Sequence, residues 1–185
     1  YYVQIGGFGA GDSGTGQLAV IEMTGTAFCN ANGVDAVACP CGNDNDDFLL
    51  ASGCANGSTQ GAVLMAEGAP TAGGNDLSLV AVRLVPNLPM LFFQGENAIN
   101  GGMGVTFGDG LRCVGLNVKR LIVLTSDGDG SVNSQNDGGL DVAVTGGAVA
   151  GDTLHYQAWY RQSSSGGPCG SSHNLTNGLT ITWEL

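Results

Sequence analysis

The sequence predicts an all-β fold, a disulfide-stapled two-sheet β-sandwich of the jelly-roll-like or Ig-like kind. Three observations predict it: 33 glycines separate short apolar runs, no stretch keeps a long helical periodicity, and six cysteines are present. A chain of 185 residues is long enough for one such domain. We expect an apolar extension over residues 1–27 and a single sandwich domain over residues 28–185, with a cysteine-rich N-terminal part.

Nine apolar segments are predicted as strands. They are residues 1–5, 17–23, 62–67, 77–85, 90–94, 119–125, 140–144, 153–161 and 179–185. Segments 153–161 and 179–185 alternate apolar and polar residues with a period of two, which indicates strands with one buried face. The run RLIVLT at 120–125 is apolar without a break, which is typical of a central strand covered on both faces.

The charge balance narrows the classes of partner. The chain has 16 Asp and Glu against 5 Lys and Arg, a formal net charge of -11. Nucleic acids and anionic membranes are therefore poor partners, because both are bound through basic side chains. Charged residues make up only 11% of the chain and Lys119 is its single lysine. Because charged residues usually protect exposed sheet edges, their scarcity favours self-assembly, and inert neutral loops are the alternative.

The six cysteines are predicted to form structural disulfides. They are Cys29, Cys39, Cys41, Cys54, Cys113 and Cys169. The spacing Cys39-Pro40-Cys41 has no matching second pair, as a structural zinc site would need, and it is not the C-x-x-C spacing of a redox pair. Six cysteines allow fifteen connectivities, and spacing alone does not choose among them. The first four cluster in sequence, which favours pairing among themselves and leaves Cys113 to pair with Cys169.

Two acidic loops are candidate calcium sites. Carboxylates and amides are dense at 43–47 and 126–137, and oxygen-rich loops of this kind suit a hard cation. The second loop matches an EF-hand-type loop only in part, since Thr125 and Asn136 stand where carboxylates are expected; solvated acidic turns are the alternative. The candidate ligands are Asp44, Asp46, Asp47, Asp127, Asp129 and Asn133.

The chain is expected to be secreted. It has an even number of cysteines and no apolar run long enough to span a membrane, and it begins at tyrosine, as a mature chain would after removal of a targeting segment. Asn56 and Asn174 stand in N-glycosylation sequons, which are candidate modification sites in a secreted protein and would usually be silent in a bacterium.

No catalytic constellation is apparent, so we expect a protein that is not an enzyme. The GDSG at 11–14 has no histidine or aspartate before it to activate the serine. The acidic residues lie mostly in Gly- and Asn-rich loops, where nothing marks two of them as a glycosidase pair.

Several phrases in a fixed order resemble a known domain. They are CPCGN at 39–43, GCANG at 53–57, LFFQGENAINGGMGVTFGDGLRCVG at 91–115, HYQAWYR at 155–161 and GGPCGSSHNLTNGLTITW at 166–183. Together they resemble a glycine-rich β domain found near the C-terminus of large secreted proteins of planctomycete-type and myxobacterial bacteria. The resemblance implies a secreted, disulfide-containing β domain, supports pairing of Cys113 with Cys169, and carries no catalytic residues.

The leading functional hypothesis is a non-catalytic extracellular subunit that polymerises with copies of itself into a filament or layer. The segment YYVQIGGFG could add a strand to the open sheet of a neighbour, and an ordinary first strand of its own sandwich is the alternative. Its candidate contact residues are Tyr1, Tyr2, Val3, Ile5 and Phe8. The second hypothesis is a carbohydrate-binding module, assisted by calcium, with Trp159 or Tyr160 as the platform for a sugar ring.

Overall fold

Antiparallel strands make up most of the regular structure in the computed structural model, which describes residues 23–45, 50–163 and 166–185. The strands in this part of the chain are β1 (Thr26–Phe28), β2 (Val63–Glu67), β3 (Ser78–Val82), β4 (Pro89–Gly95), β5 (Asn97–Ala98), β6 (Val105–Phe107), β7 (Gly110–Arg112), β8 (Val114–Gly115), β9 (Lys119–Thr125), β10 (Val132–Asn133), β11 (Thr153–Arg161), β12 (His173–Leu175) and β13 (Gly178–Thr182). A short helix, α1 (Val142–Gly146), and two 3-10 turns, Pro40–Gly42 and Ile99–Gly102, complete the set.

Two sheets pack face to face, as a β-sandwich requires. The larger has six strands in the order β1-β13-β11-β4-β9, with β12 also paired to β11. The smaller has three strands in the order β10-β3-β2. Two further ribbons, β5–β8 and β6–β7, lie outside both sheets. All of these strand pairs are antiparallel. The predicted class, an all-β disulfide-stapled sandwich, is confirmed.

The main core lies between the two sheets and follows the period-two pattern of the sequence. In β11 the inward positions are Leu154, Tyr156, Ala158 and Tyr160, and all four are buried. Trp183 Nε1 donates a hydrogen bond to the Tyr156 hydroxyl oxygen (2.9 Å), so this buried polar pair satisfies itself. Burial of nonpolar area on this interface supplies most of the driving force for folding.

The side chain of Asn177, which lies between β12 and β13, links the large sheet to the small one by hydrogen bonds. Asn177 is fully buried; its Oδ1 accepts a hydrogen bond from Leu64 N (2.8 Å) and its Nδ2 donates to Leu64 O (3.1 Å). The amide thus pairs with β2 as a neighbouring strand would, and it fills the hydrogen-bonding positions at the middle of that strand's outer edge.

Three disulfides join a third layer that packs on the other face of the large sheet, and their pairing corrects the prediction. The bonds are Cys29–Cys113, Cys39–Cys54 and Cys41–Cys169, and no free cysteine remains. The pairing of Cys113 with Cys169 is therefore wrong. Pairing within the first four cysteines holds for Cys39–Cys54 alone. Cys29 and Cys41 bond instead to Cys113 and Cys169, far along the chain.

The disulfide layer has a small core of its own. Cys29, Cys39, Cys54 and Cys113 are buried together with Leu111. Cys41 is exposed, so Cys41–Cys169 is the exposed disulfide of the molecule. The expected cysteine-rich portion thus packs as a distinct cluster on the same sandwich.

Six predicted strands coincide with observed ones, while other predictions need correction. The predicted segments overlap β2, β3, β4, β9, β11 and β13; they are residues 62–67, 77–85, 90–94, 119–125, 153–161 and 179–185. The short strands of two or three residues were not predicted. Predicted strand 1–5 and all but the last residue of 17–23 lie outside the described residues; Met23 forms an antiparallel bridge with Glu67.

Segment 140–144 was predicted as a strand and instead leads into helix α1. Asp141 is its N-cap, with its side chain accepting a hydrogen bond from Val144 N (2.9 Å), and Gly147 ends the helix in the left-handed conformation. These capping residues override the apolar content of the segment, because they satisfy the groups that a helix end leaves unpaired.

Among the described strands β9 lies at the edge of its sheet, and its outward side chains are exposed, so the prediction of a strand covered on both faces is wrong. Only β4 pairs with it in the described sheet. Ile122 and Leu124 face the main core, and a β-bulge turns Leu121 the same way, whereas Val123 on the other face is 65% exposed. Burial on both faces of the sheet therefore does not explain why residues 121–124 of β9 are all apolar.

Candidate binding groove

The face of the large sheet that points away from the main core carries an open groove of about 430 Å³. Its floor includes a row of apolar side chains from neighbouring strands. Trp159 of β11 pairs with Leu91 of β4 on one side and with Leu175 of β12 on the other, and Leu91 pairs with Val123 of β9. Opposite residues on antiparallel strands contact one another on the same face. We call the space above this row the outer groove.

One wall of the outer groove is the β6–β7 hairpin, which contributes Phe107. The turn of the hairpin carries Asp109, whose side chain is fully buried. Its Oδ1 accepts a hydrogen bond from Ser171 N (2.9 Å), and its Oδ2 accepts from Gln162 Nε2 (2.7 Å) and Cys169 N (3.2 Å). Such charge-assisted bonds are strong in a buried setting. Asp109 therefore holds the hairpin against the loop that carries the exposed disulfide.

Three rings meet where this hairpin approaches β12. The His173 ring centre lies 5.0 Å from that of Phe107 and 5.7 Å from that of Trp159. Burial lowers the pKa of His173 below its usual 6.5, and the nearby Arg161 guanidinium lowers it further. His173 Nε2 is buried and has no hydrogen-bond partner among the described residues. The neutral imidazole thus behaves mainly as an apolar ring in this wall.

Cationic side chains collect around the outer groove although the protein is strongly acidic. Arg112 and Arg120 line it, and the Arg161 guanidinium carbon lies 5.4 Å from the centre of the Trp159 ring. These are three of the five Lys and Arg residues in the chain. The outer groove is therefore the region where most of the chain's few positive charges are found, beside exposed apolar groups.

The outer groove adjoins the unpaired edge of β9. Within the described residues, the backbone of β9 hydrogen-bonds only to β4. Alternate residues of an edge strand direct N–H and C=O groups away from the sheet, where another strand can pair with them. Beyond Arg120, the strand carries no charge. This edge is consequently open to addition of a strand.

Two edges of the small sheet are covered. At β2, Asn177 bonds to Leu64 and Thr24 N donates to Ala66 O (2.9 Å). At β10, Asp137 N donates to Asn133 O (3.0 Å) and Asn133 N donates to an Asp137 carboxylate oxygen (2.7 Å). The far edge of the large sheet is β1, only three residues long. Among the described strands, β9 therefore presents the longest edge without such cover.

Three of the four described candidate calcium ligands, all but Asp129, serve as hydrogen-bond acceptors in their own loops. Asp127 Oδ1 accepts from Asp129 N (2.9 Å) and Ser131 N (2.7 Å), Asn133 Oδ1 accepts from Gln135 N (3.0 Å), and Asp44 Oδ1 accepts from Cys39 N (3.0 Å). In the described ranges, no group of three or more His, Cys, Asp or Glu side chains could hold a metal ion. Two further candidates, Asp46 and Asp47, lie outside those ranges.

Both glycosylation candidates are corrected by the fold. Asn56 and Asn174 are fully buried, and each Nδ2 donates to backbone carbonyls: Asn56 to Arg83 O (2.9 Å) and Asn174 to Cys54 O (3.2 Å). An amide nitrogen held in this way has no room for a glycan. The two sequons mark structural asparagines that satisfy buried backbone groups.

The sugar-platform candidates are separated by the sheet. Tyr160 points into the main core and is buried, so it cannot be a platform, whereas Trp159 lies in the outer groove.

Three residues that line the outer groove were not predicted from the sequence: Phe107, Arg112 and Arg120. The rarity of positive charge could have pointed to the two arginines, because the chain has only five Lys and Arg residues to consider as binding groups. The predicted contact residues Tyr1, Tyr2, Val3, Ile5 and Phe8 lie outside the described residues.

Comparison with protein-family models, curated proteins and solved structures found no match. No helix in the described ranges is long and apolar enough to cross a membrane. The three disulfides indicate an oxidising environment for the folded protein.

Three segments that lie far apart in sequence contribute residues around the outer groove. They are FGDGLRC, HYQAWYR and SSHNL.

Proposed function

We propose that this chain is a non-catalytic, secreted structural protein whose copies assemble into an extracellular filament or layer. Assembly proceeds by addition of the apolar segment at residues 1–9 to the sheet of a neighbouring copy. The observation that supports this most is the unpaired edge of β9, seven residues long and continuous with an apolar groove. Backbone hydrogen bonds of an added strand supply affinity, and the side chains on its two faces supply specificity.

The composition supports the same proposal. Proteins that remain monomeric place charges on exposed edges, whereas residues 121–125 of β9 carry none. The segment YYVQIGGFG carries none either and contains several large apolar side chains. A contact between different surfaces of successive copies does not close on itself, so it propagates as a fibre.

The test is the assembly state with and without the segment. Electron microscopy and sedimentation of the purified chain are expected to reveal ordered polymers. Deleting residues 1–9 is expected to abolish them and to leave a folded monomer, judged by near-ultraviolet circular dichroism and thermal melting. Polymers that persist after the deletion would exclude strand donation by this segment.

A carbohydrate-binding module is the second candidate, because Trp159 is partly exposed in the outer groove beside Phe107 and two arginines. Aromatic rings can stack on the apolar faces of sugars while arginines donate hydrogen bonds. Glycan-array binding that disappears in Trp159→Ala, together with a monomeric state by light scattering, would favour this candidate. Repeating the array with a chelator tests assistance by calcium.

A further inference from the structure

We propose that the β9 edge together with the outer groove is the acceptor site, and that its occupant is residues 1–9 of a second copy of this chain. This assignment rests on the proposed function and specifies which surface receives the segment. It is supported by the hydrogen-bonding state of the sheet edges, by the side chains beside β9, and by the distribution of charge.

The edges differ in what an incoming strand would find. On β2 the outer positions at Leu64 and Ala66 are already bonded, and β10 is two residues long and bonded at Asn133. An incoming strand would have to displace these bonds, whereas β9 offers backbone groups that no other described residue occupies. Since each displaced buried hydrogen bond has a cost, the β9 edge is the favoured acceptor.

The side chains beside β9 suit the segment. A strand added to β9 extends the cross-strand row of Leu175, Trp159, Leu91 and Val123 by one position. Period-two alternation places Tyr1, Val3 and Ile5 of the donor on one face, which is wholly apolar. Large side chains on adjacent strands also reach diagonal neighbours, so an aromatic donor residue next to Val123 can extend over the outer groove.

The charge distribution favours the same surface. Each copy has a net charge of -11, so two copies repel one another at most orientations. Arg112, Arg120 and Arg161 surround the outer groove. An acidic neighbour therefore meets the least repulsion when it approaches this face.

Cross-linking in the full-length chain tests the assignment directly. A photoreactive phenylalanine analogue replaces Ile5, on the donor face that meets the outer groove, and the labelled chain is mixed with an isotopically heavy copy before irradiation. We expect cross-links that join light to heavy chains and that map to peptides containing residues 118–123 or 105–112. Cross-links within one chain only would mean that the segment folds back on its own sheet, and the assignment would be overturned.

A matched pair of substitutions provides the second arm. Val123→Lys puts a charge beside the acceptor edge, and Val149→Lys puts the same charge on the loop that follows α1; the two valines are 65% and 61% exposed. We expect the concentration needed for polymerisation to rise about tenfold or more for Val123→Lys, because the new ammonium group would be desolvated in the contact. Val149→Lys should change it less than about twofold, as surface substitutions usually do.

The outcomes separate this assignment from the proposed function. Polymers that form normally in Val123→Lys, with cross-links to another surface, would refute the acceptor site and leave self-assembly intact. Full-length chain that stays monomeric at all concentrations, with no cross-links between copies, would refute both. Val123→Lys chains must melt at the same temperature as Val149→Lys chains, so that loss of assembly is not loss of folding.

Discussion

Gln157 connects the large sheet to the disulfide layer, and replacing it with methionine should destabilise the protein measurably. Its Nε2 donates hydrogen bonds to Leu111 O (2.8 Å) and Thr176 O (2.7 Å), and its Oε1 accepts one from Cys113 N (2.9 Å). The side chain is fully buried. Methionine has a similar volume, so the substitution removes the three bonds and leaves little cavity.

The magnitude follows from the groups left without partners. A buried polar group that loses its hydrogen-bond partner costs about 1–3 kcal/mol. Three such groups at the lower end give a loss of about 3 kcal/mol in the free energy of unfolding. Gln60→Met is the matched control, because Gln60 is exposed and should change stability by less than about 0.5 kcal/mol.

Urea unfolding of the oxidised protein, followed by tryptophan fluorescence, measures this difference. The midpoint for Gln157→Met should fall with an unchanged slope, which identifies a change in stability rather than in the unfolded state. A loss no larger than that of Gln60→Met would show that the three backbone groups find other partners, and the reasoning from buried hydrogen bonds would be wrong.

Three further predictions concern reduction, backbone packing and pH. Limited reduction followed by alkylation and mass spectrometry should find the exposed disulfide opened first, because the other two are buried; simultaneous opening would contradict this. Gly53→Ala should destabilise by more than about 2 kcal/mol, since the added methyl overlaps a β12 carbonyl oxygen, whereas Gly57→Ala meets open space and should not; equal melting temperatures would contradict it. Burial raises the pKa values of Tyr156 and Tyr160 far above the usual 10, so the unfolded chain releases these protons first and stability falls as pH rises above about 10. Absorbance at alkaline pH should register these two phenols only on unfolding, and reversible ionisation in the folded state would refute it.

Most residues of the outer groove could not be predicted from the sequence, for a physical reason. Alternation places Trp159 and Tyr160 on opposite faces of their strand, because it is a local property of eight or nine residues. Phe107, Arg112 and Arg120 reach the same groove from a hairpin and from an edge strand. Their proximity depends on which strands pair, and a pattern within one strand carries no information about that.

The sequence by itself determined the all-β class, the positions of the long strands and the inward face of β11, because apolar alternation acts over one strand at a time. Only the tertiary structure decided the disulfide partners and the edge position of β9. Cys29 pairs with a cysteine 84 residues away, and Cys41 with one 128 residues away. Such pairs form where the folded chain brings sulfur atoms together, and a free sheet edge exists only once the order of strands is established.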